Sequence, residues 1–519
     1  MTTTTTTTTT STAGSAVLPT TGPVLLHVDG RDVAASDGAT FELRNPATGE
    51  LIADVAHATA DDVDVAVRAG ARAFEDRRWR GLPGRERSRV LHRAAGLLDE
   101  RIDEFARWET LQIGRPLREM RAQLARLPEW LEYFGSVAQT DEGRVPEFGG
   151  GHLNVVRRRP LGVAGLITPW NHPLLITMKK VSAALAAGNS LVVKPSELGP
   201  LVPRELALLL EQAGVPAGVV NVVPGLGAST GRALTEHPGL AKIDVTGGTE
   251  TGRVIAATAG RSLIPVTAEL GGKAPVLVFD DADLDDAVAG ALFASFIATG
   301  QTCVQGARIL VQEGVREEFT SRFLARVREL RLGDPLDVAT QVGPLVSRQQ
   351  RDRVVAAVDR AREQGAEVVA GGRVPDAAEL STGWFYEPTV VDGVTPEHDL
   401  WYEEVFSPVT VLRTFRDEAD AVAQADDSPF GLAASVWTRD VGRALRIAEA
   451  VDIGIVWVND HHRIDPSSPW GGTKESGIGS ENGIEAYRAY TRQHSVVVNT
   501  APARAGADWF ATTDDVRYS

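Results

Sequence analysis

A single cysteine, Cys303, stands in the run Gly300-Gln301-Thr302-Cys303-Val304-Gln305-Gly306, where an apolar helical pattern gives way to a strand-like one. By itself a lone cysteine is more often an inert buried residue than a reactive one. The flanking glycines change the balance, because they let backbone N–H groups approach a substrate, and a thiol held there can use its own amide to stabilise an oxyanion. Little of a free thiol is ionised near neutrality, so such a site must also supply a base or a favourable field.

Two further stretches could supply that chemistry. Glu269-Leu270-Gly271-Gly272-Lys273 follows the apolar Ile264-Pro265-Val266-Thr267, putting a carboxylate at a strand end beside two glycines. It reads either as a surface acid or as a mobile base that activates water against a thioester. Pro169-Trp170-Asn171-His172-Pro173 closes the strand Val163 to Ile167. Such proline-rich segments are usually only turns, yet an amide donor at the carboxyl end of a parallel strand is where an oxyanion hole is built.

Holding these groups together requires a scaffold of alternating strands and helices. Between Leu161 and Val276 the chain runs strand (Val163 to Ile167), helix (through Lys180 to Ala187), strand (Ser190 to Val193), helix (from Leu201) and strand (Val219 to Val223). A second set follows: Ala274 to Phe279, a helix from Leu284 to Thr299, Ala307 to Val311, a helix from Val315 to Leu330, and Ala366 to Ala370. This alternation predicts an α/β fold with two units in series, each a parallel sheet covered by helices. Upstream, Leu25 to Leu43 reads as edge hairpin strands turning at Gly30, Thr59-Ala60-Asp61-Asp62 as a helix start, and Pro83 to Val137 as helical. Asp141 to Arg159 is polar and extended, with Gly149-Gly150-Gly151 in a turn, and fits a protruding arm; Ser495 to Val498 is a further strand.

The bulk composition narrows the class. With 519 residues, 43% of them apolar, the chain exceeds what one core can organise, and two or three domains are expected. Acidic residues outnumber basic ones, 69 to 53, for a net charge of −16, so nucleic acid and anionic membranes are poor partners. One cysteine forms no intrachain disulfide, which points to a reducing, cytoplasmic setting. The threonine tract Thr2 to Thr10 lacks the basic and apolar regions of a secretory signal and reads as a disordered tail. The longest apolar stretch, Ala287 to Ala298, is too short for a membrane helix and reads as a buried one.

For a dinucleotide, no strict Gly-x-Gly-x-x-Gly is present; the nearest run is Gly225 to Gly231. Thr246-Gly247-Gly248-Thr249-Glu250-Thr251-Gly252 follows the short strand Lys242 to Val245 and would start a helix whose free N–H groups suit a pyrophosphate.

Taken together, the cysteine, glutamate and asparagine motifs, in that order of importance, resemble the aldehyde dehydrogenase superfamily in its non-acylating branch. The resemblance runs from Asn45-Pro46-Ala47-Thr48-Gly49 to Val498 and includes Glu403-Glu404-Val405-Phe406-Ser407-Pro408-Val409 and Pro469-Trp470-Gly471-Gly472-Thr473-Lys474-Glu475-Ser476-Gly477. It implies that Cys303 is the nucleophile, that its N–H and the Asn171 amide hold the oxyanion, and that Glu269 activates water against the thioester. Lys180 and Glu481 match a proton exit route. The branch that transfers its acyl group to coenzyme A resembles this one but lacks that glutamate, so Glu269 implies a free acid product.

The same resemblance implies cofactor contacts at Thr168, Trp170, Lys194, Glu197, Gly227, Gly231, Gly248, Thr249, Leu270, Glu404 and Phe406. Lys194 and Glu197 resemble the clamp on the adenine ribose, and a carboxylate at Glu197 would repel a 2′-phosphate, favouring NAD while leaving NADP possible. Family members often have serine at the Gly248 position, so one hydroxyl contact to phosphate is absent. Gln305, Ser407 and Ser480 also depart from the usual pattern; Gln305 would narrow the substrate tunnel and Ser480 would alter subunit contacts.

By approximate alignment the aldehyde tunnel holds Arg126, Lys179, His462, Arg463, Ile464 and Trp470. Its cationic residues suggest a polar or anionic aldehyde such as a semialdehyde, unless they pair with Asp460, Asp465 or Glu129 and turn away. Adjacent His461 and His462 lack a third ligand at metal spacing, and no metal is expected. The implied domains are a dinucleotide-binding unit from 24–137 and 161–271, a catalytic unit from 272–487, an oligomerisation arm from 138–160 and 488–500, and tails at 1–23 and 501–519. An arm with nothing in its own subunit to pair with implies a homodimer or homotetramer. Two other readings stay open on the residues alone: a thiol hydrolase, which leaves Lys194, Glu197 and Glu404 unexplained, and a non-enzymatic binding protein on the same fold.

Overall fold

Val163–Thr168 and Ser190–Pro195 are almost wholly buried runs, rich in apolar residues, and they pair in parallel at the centre of a sheet. Burial on both faces explains why neither strand alternates polar and apolar residues. Around them the sheet runs Arg31–Val33, Leu26–Val28, Val220–Val222, Ser190–Pro195, Val163–Thr168, Lys242–Thr246, Val266–Glu269 and Gly477–Ile478. The five middle strands are parallel and the outer pairings antiparallel. The carboxyl ends of these strands therefore bring Thr168, Lys194, Thr246 and Glu269 to one rim.

The structure, a computed structural model, describes residues 22–148 and 151–500. The threonine tract, Gly149-Gly150 and everything after Thr500 lie outside the described residues, and with them nearly all of the two expected tails.

A second sheet runs Glu367–Ala370, Thr389–Asp392, Val409–Phe415, Arg308–Gln312, Pro275–Val278, Ala433–Trp437 and Ile455–Val458, parallel except at its first strand. Four of these seven strands, those from Thr389 onward, lie in stretches that the sequence reading left unassigned. The first sheet takes its last strand from far downstream, in a way the motif order did not suggest: Gly477–Ile478 returns to pair with Val266–Glu269, setting Gly477 opposite Glu269. A Cβ on Gly477 would stand 2.4 Å from the Ala268 carbonyl oxygen, so only glycine allows that approach.

Helix starts agree with the residues that mark them. Thr59 and Asp62 form a reciprocal capping box at Ala60–Glu75, and Asp283 accepts from the backbone of Asp285 and Asp286 at Leu284–Phe296. Gly248 precedes the helix Thr249–Arg261, as expected.

The extended arm is His152–Pro160, and it does have a partner within its own chain. It pairs antiparallel with Thr491–Asn499 from Pro160 opposite Thr491 to His152 opposite Asn499. Arg144 bridges the outer edge of His152–Pro160 at Val156, and among the described residues no strand pairs with the outer edge of Thr491–Asn499. Among the described residues no helix is long and apolar enough to cross a membrane.

Candidate functional site

The cysteine is presented by an unusual backbone. The helix Leu284–Phe296 ends short of the expected Thr299, and Ala298, Thr299 and Gly300 follow with φ of 54°, 56° and 68°. Three successive left-handed residues, two with side chains, form a strained turn that the surroundings must hold in place. Glu119 Oε2 accepts from the Ala298 N–H at 3.1 Å, and a Cβ on Gly300 would stand 2.1 Å from the Ser407 carbonyl oxygen. Gln305 does not narrow the tunnel. Its Nε2 donates to the carbonyls of Ser295, Ser407 and Val409 at 3.2, 2.5 and 3.0 Å, fastening the turn from behind.

Asn171 lies in the turn between Val163–Thr168 and the helix Pro173–Ala187, buried and without a side-chain hydrogen bond among the described residues. Its neighbour His172 reaches the cysteine turn: Nε2 is 3.2 Å from Thr302 Oγ1, while Arg115 donates to Nδ1 at 2.7 Å. An acceptor role at Nδ1 places the hydrogen on Nε2. Burial, with Arg115, His462 and Lys179 nearby, holds the ring well below the usual histidine range, so it stays neutral. Arg115 also binds Gln123 and Glu119 at 2.9 and 3.3 Å. Arg115, Glu119, His172 and Thr302 were missed as site residues, because their partners are 57 to 179 positions away and no local spacing joins them.

Gly272 brings the glutamate segment against the cysteine turn. Gly272 donates its N–H to Glu404 Oε1 at 2.8 Å, and a Cβ on Gly272 would stand 2.2 Å from the Cys303 carbonyl oxygen. Both Glu269 carboxyl oxygens are buried without a hydrogen-bond partner among the described residues. Burial, reinforced by Glu481, pushes this carboxyl well above its ordinary range, against the pull of Lys179 and Lys180. Burial likewise pushes the Cys303 thiol up to about 12; Lys179 opposes the shift while Glu269, Glu404 and Glu481 add to it. In this state sulfur and carboxyl both keep their protons.

Behind Glu269 lies a buried ion cluster. Lys180 binds Asp244 and Glu481, the latter at 2.5 Å, and Tyr490 donates to Asp244 at 2.5 Å. Lys179 Nζ is 2.5 Å from the other Glu481 oxygen. Burial opposes ionisation of Glu481, but the two ammonium groups overcome it and hold the carboxyl down at about 2. Lys179 thus belongs to this cluster as well as to the aldehyde side. Ser480 lines the small cavity beside it.

On the rim of the first sheet the expected dinucleotide contacts gather. Lys194 Nζ is 3.4 Å from Glu197 Oε2. Nothing lies within 4 Å of a Cβ placed on Gly227, Gly247 or Gly248, and Gly231 backs onto Lys194. Trp170 and Phe406 meet edge to face with centroids 5.4 Å apart. Leu270 packs against Gly252 of the helix that Thr249 begins. Thr168 Oγ1 and Thr249 Oγ1 are buried without hydrogen-bond partners among the described residues. Unpaired hydroxyls, open glycines and a helix start at one sheet rim fit a dinucleotide. Burial raises the Glu404 carboxyl to about 7, against its bond from Gly272 and the charge of Lys273.

On the opposite side a cavity of about 500 Å³ is bounded in part by Arg115, Arg126, Phe296, His462, Arg463 and Ile464. Cys303 and Ile464 pack against an apolar cluster that includes Trp457 and Trp470. The paired reading of the tunnel cations is the one that holds: Arg126 is 2.8 Å from Glu129 and Arg463 2.8 Å from Asp460. His462 is buried and held down at about 3 by that burial, with its ring against His172 and Trp470. His461 turns elsewhere, to the Val304 carbonyl at 2.7 Å.

Comparison with known proteins agrees with this geometry. A model of the aldehyde dehydrogenase family matches residues 33–496. A Bacillus subtilis (strain 168) protein, DhaS, assigned by its name to the aldehyde dehydrogenases, is 40% identical over 479 residues, 92% of this chain and 96% of its own. A Burkholderia cenocepacia crystal structure assigned to the same enzymes superposes with a TM-score of 0.91 at 42% identity, covering 95% of this chain and 99% of that one. Staphylococcus aureus betaine aldehyde dehydrogenase in complex with NAD+ superposes with a TM-score of 0.92 at 35% identity, covering 94% and 97%.

Proposed function

The chain belongs to the aldehyde dehydrogenase family and oxidises an aldehyde with NAD, and from that premise we propose how its own residues do so. Cys303 Sγ attacks the aldehyde carbon, and the Asn171 amide with the Cys303 N–H binds the oxyanion of the resulting adduct. Free donor capacity on Asn171, close to the cysteine turn through His172 and Thr302, supports that role. When bound, NAD supplies a hydride acceptor and a positive charge. Thr168, Trp170, Lys194, Glu197, Gly227, Gly231, Gly248, Thr249, Leu270, Glu404 and Phe406 hold it, and Glu197 disfavours the 2′-phosphate of NADP.

Glu269, once it has given up the proton it carries in this state, takes a proton from water as that water attacks the thioester; the acid leaves, and the proton on Glu269 returns to the departing sulfur to give the free thiol. Glu481 and Lys180, adjoining Glu269 in the buried cluster, relay the proton outward. The observation that carries this reading is the bare Glu269 carboxyl, both oxygens buried and unpartnered in the field of Cys303. A buried acid left in that state costs stability and is retained at a cost that function explains.

The cofactor unit is assigned to 24–137 and 161–271, the catalytic unit to 272–487, with the arm at 138–160 and 488–500; the parallel rim bearing Thr168, Lys194 and Glu269 supports the first assignment. The open outer edge of Thr491–Asn499 supports a homo-oligomer, dimer or tetramer, and a catalytic thiol suits the reducing cytoplasm.

Rapid mixing with NAD and a simple alkyl aldehyde tests the mechanism. Glu269→Gln gives a stoichiometric burst of reduced cofactor followed by turnover slowed by about 10²-fold or more, and Cys303→Ala gives no burst. A full-rate Glu269→Gln enzyme would overturn the base assignment.

A further inference from the structure

Trp457 and Trp470, with ring centroids 6.2 Å apart, belong to the apolar cluster against which Cys303 packs. Indole faces beside a reactive centre are the surface that attracts a quaternary ammonium group, since the ring carries negative charge on its face. In this chain an ammonium is already there. Lys179 Nζ lies 4.5 Å from the Trp470 ring centroid, and its side chain is fully enclosed. Its ion-pair partner Glu481 is shared with Lys180, which Asp244 also binds. The acids behind the Trp470 face are therefore already committed to lysines, and Glu269, held protonated by burial and by Glu481, adds no negative charge.

The neighbouring cavity adds little charge of its own. Of the guanidinium groups that bound it, Arg115 is paired with Glu119, Arg126 with Glu129 and Arg463 with Asp460, and His462, which also bounds it, sets its ring against Trp470. A cationic aldehyde would meet the Lys179 ammonium at the indole face where its own charge would otherwise rest.

We propose that Lys179 is a specificity-determining residue that excludes trimethylammonium aldehydes by placing its own ammonium on the Trp470 face. The inference rests on the reading of Cys303 as the nucleophile, which fixes where the aldehyde carbon must sit. It distinguishes this chain from what its resemblance to betaine aldehyde dehydrogenases would suggest: the indoles are present, but the face is taken.

The test uses two aldehydes of the same shape and different charge, betaine aldehyde and its uncharged carbon isostere 3,3-dimethylbutanal. Steady-state kcat/KM is measured for both with the full-length enzyme and NAD. The wild type favours the neutral aldehyde by about 100-fold or more, the size expected for two like charges a few ångström apart in a site of protein-like dielectric. Lys179→Met, similar in length without the charge, narrows that ratio by about tenfold or more, and Lys179→Arg keeps it. The ratio is the proper reading, because hydration of each aldehyde is unchanged between variants and any disturbance of Glu481 slows both aldehydes together. If Lys179→Met does not fold, Lys179→Gln is read in the same way. A wild-type ratio near one, or a ratio that Lys179→Met leaves unmoved while the neutral aldehyde is oxidised, overturns the inference and leaves the dehydrogenase mechanism standing. Absence of cofactor reduction with every aldehyde offered overturns the mechanism itself, and the inference with it.

Discussion

His172 Nε2 lies 3.2 Å from Thr302 Oγ1, so the residue after Asn171 is fastened to the residue before Cys303. The two groups proposed to hold the oxyanion, an amide side chain and a backbone N–H, come from segments 132 positions apart. This bond sets their separation, and Arg115 sets the ring's tautomer by donating to Nδ1. Oxyanion stabilisation depends on donors aimed at a charge that develops only in the adduct, so a displacement well under the length of a bond is felt in the rate.

Replacing His172 by Phe keeps a planar ring and removes both bonds. The expected result is a kcat lowered by about 10- to 100-fold with KM little changed, and Thr302→Val, which loses the same acceptor, behaves alike. Equal kcat for wild type and His172→Phe in single-turnover cofactor reduction would show that the bond is structural only.

Cys303 gives a pH prediction whose direction follows from its surroundings. Burial pushes the thiol up to about 12, and Glu269, Glu404 and Glu481 push the same way against Lys179. Below that value the reactive thiolate grows about tenfold per pH unit. Alkylation of the cofactor-free enzyme by iodoacetamide, followed by intact-mass measurement, should therefore keep rising from pH 7 to pH 10. A plateau near pH 8 would place the thiol in the ordinary range and contradict the enclosed site.

What was legible in the sequence was local. Val163–Thr168, Ser190–Pro195 and Leu284–Phe296 announce themselves by their apolar runs, and Ala60–Glu75 by its Thr59 start, and the motifs around Asn171, Glu269 and Cys303 lie at the ends of such elements. What was not legible depends on contacts between distant segments. Nothing near Arg115 in sequence shows that it bonds His172, nothing near Gly477 shows that it pairs beside Glu269, and the length of Gln305 suggested a blocked tunnel when its amide instead bonds backbone carbonyls behind the turn. The tunnel cations were legible as residues and not as charges, because Arg126 and Arg463 carry carboxylate partners.

Glu197 bears on cofactor choice. It stands 3.4 Å from Lys194 Nζ with its carboxylate partly exposed, where a ribose hydroxyl can donate to it and a 2′-phosphate is repelled. Glu197→Ser removes the repulsion and leaves Lys194 free to meet the phosphate. The ratio of kcat/KM for NADP to that for NAD should rise by about 10-fold or more. If the ratio holds constant, the adenine ribose is not read by this pair.

The arm offers a prediction of assembly. Thr491–Asn499 and His152–Pro160 form a ribbon in which Arg144 bridges the outer edge of His152–Pro160 at Val156, while among the described residues no strand pairs with the outer edge of Thr491–Asn499, and Leu153, Val496, Val497 and Val498 are exposed on it at 42 to 48%. Natural sheets do not leave apolar edges open to water; they charge them, bend them or cover them. Here the edge carries valines in a row, which fits covering by a second copy. Val496 and Val498 point to one face, two positions apart. Lysine at both would remove roughly 3 kcal/mol of apolar burial from the contact, about 100-fold in association. Sedimentation velocity of the Val496→Lys, Val498→Lys double variant should show the assembly dissociating towards the 55.4 kDa chain, with far-UV circular dichroism unchanged. A wild type that sediments as a monomer, or a double variant that sediments as the wild-type oligomer does, would remove the arm from the interface.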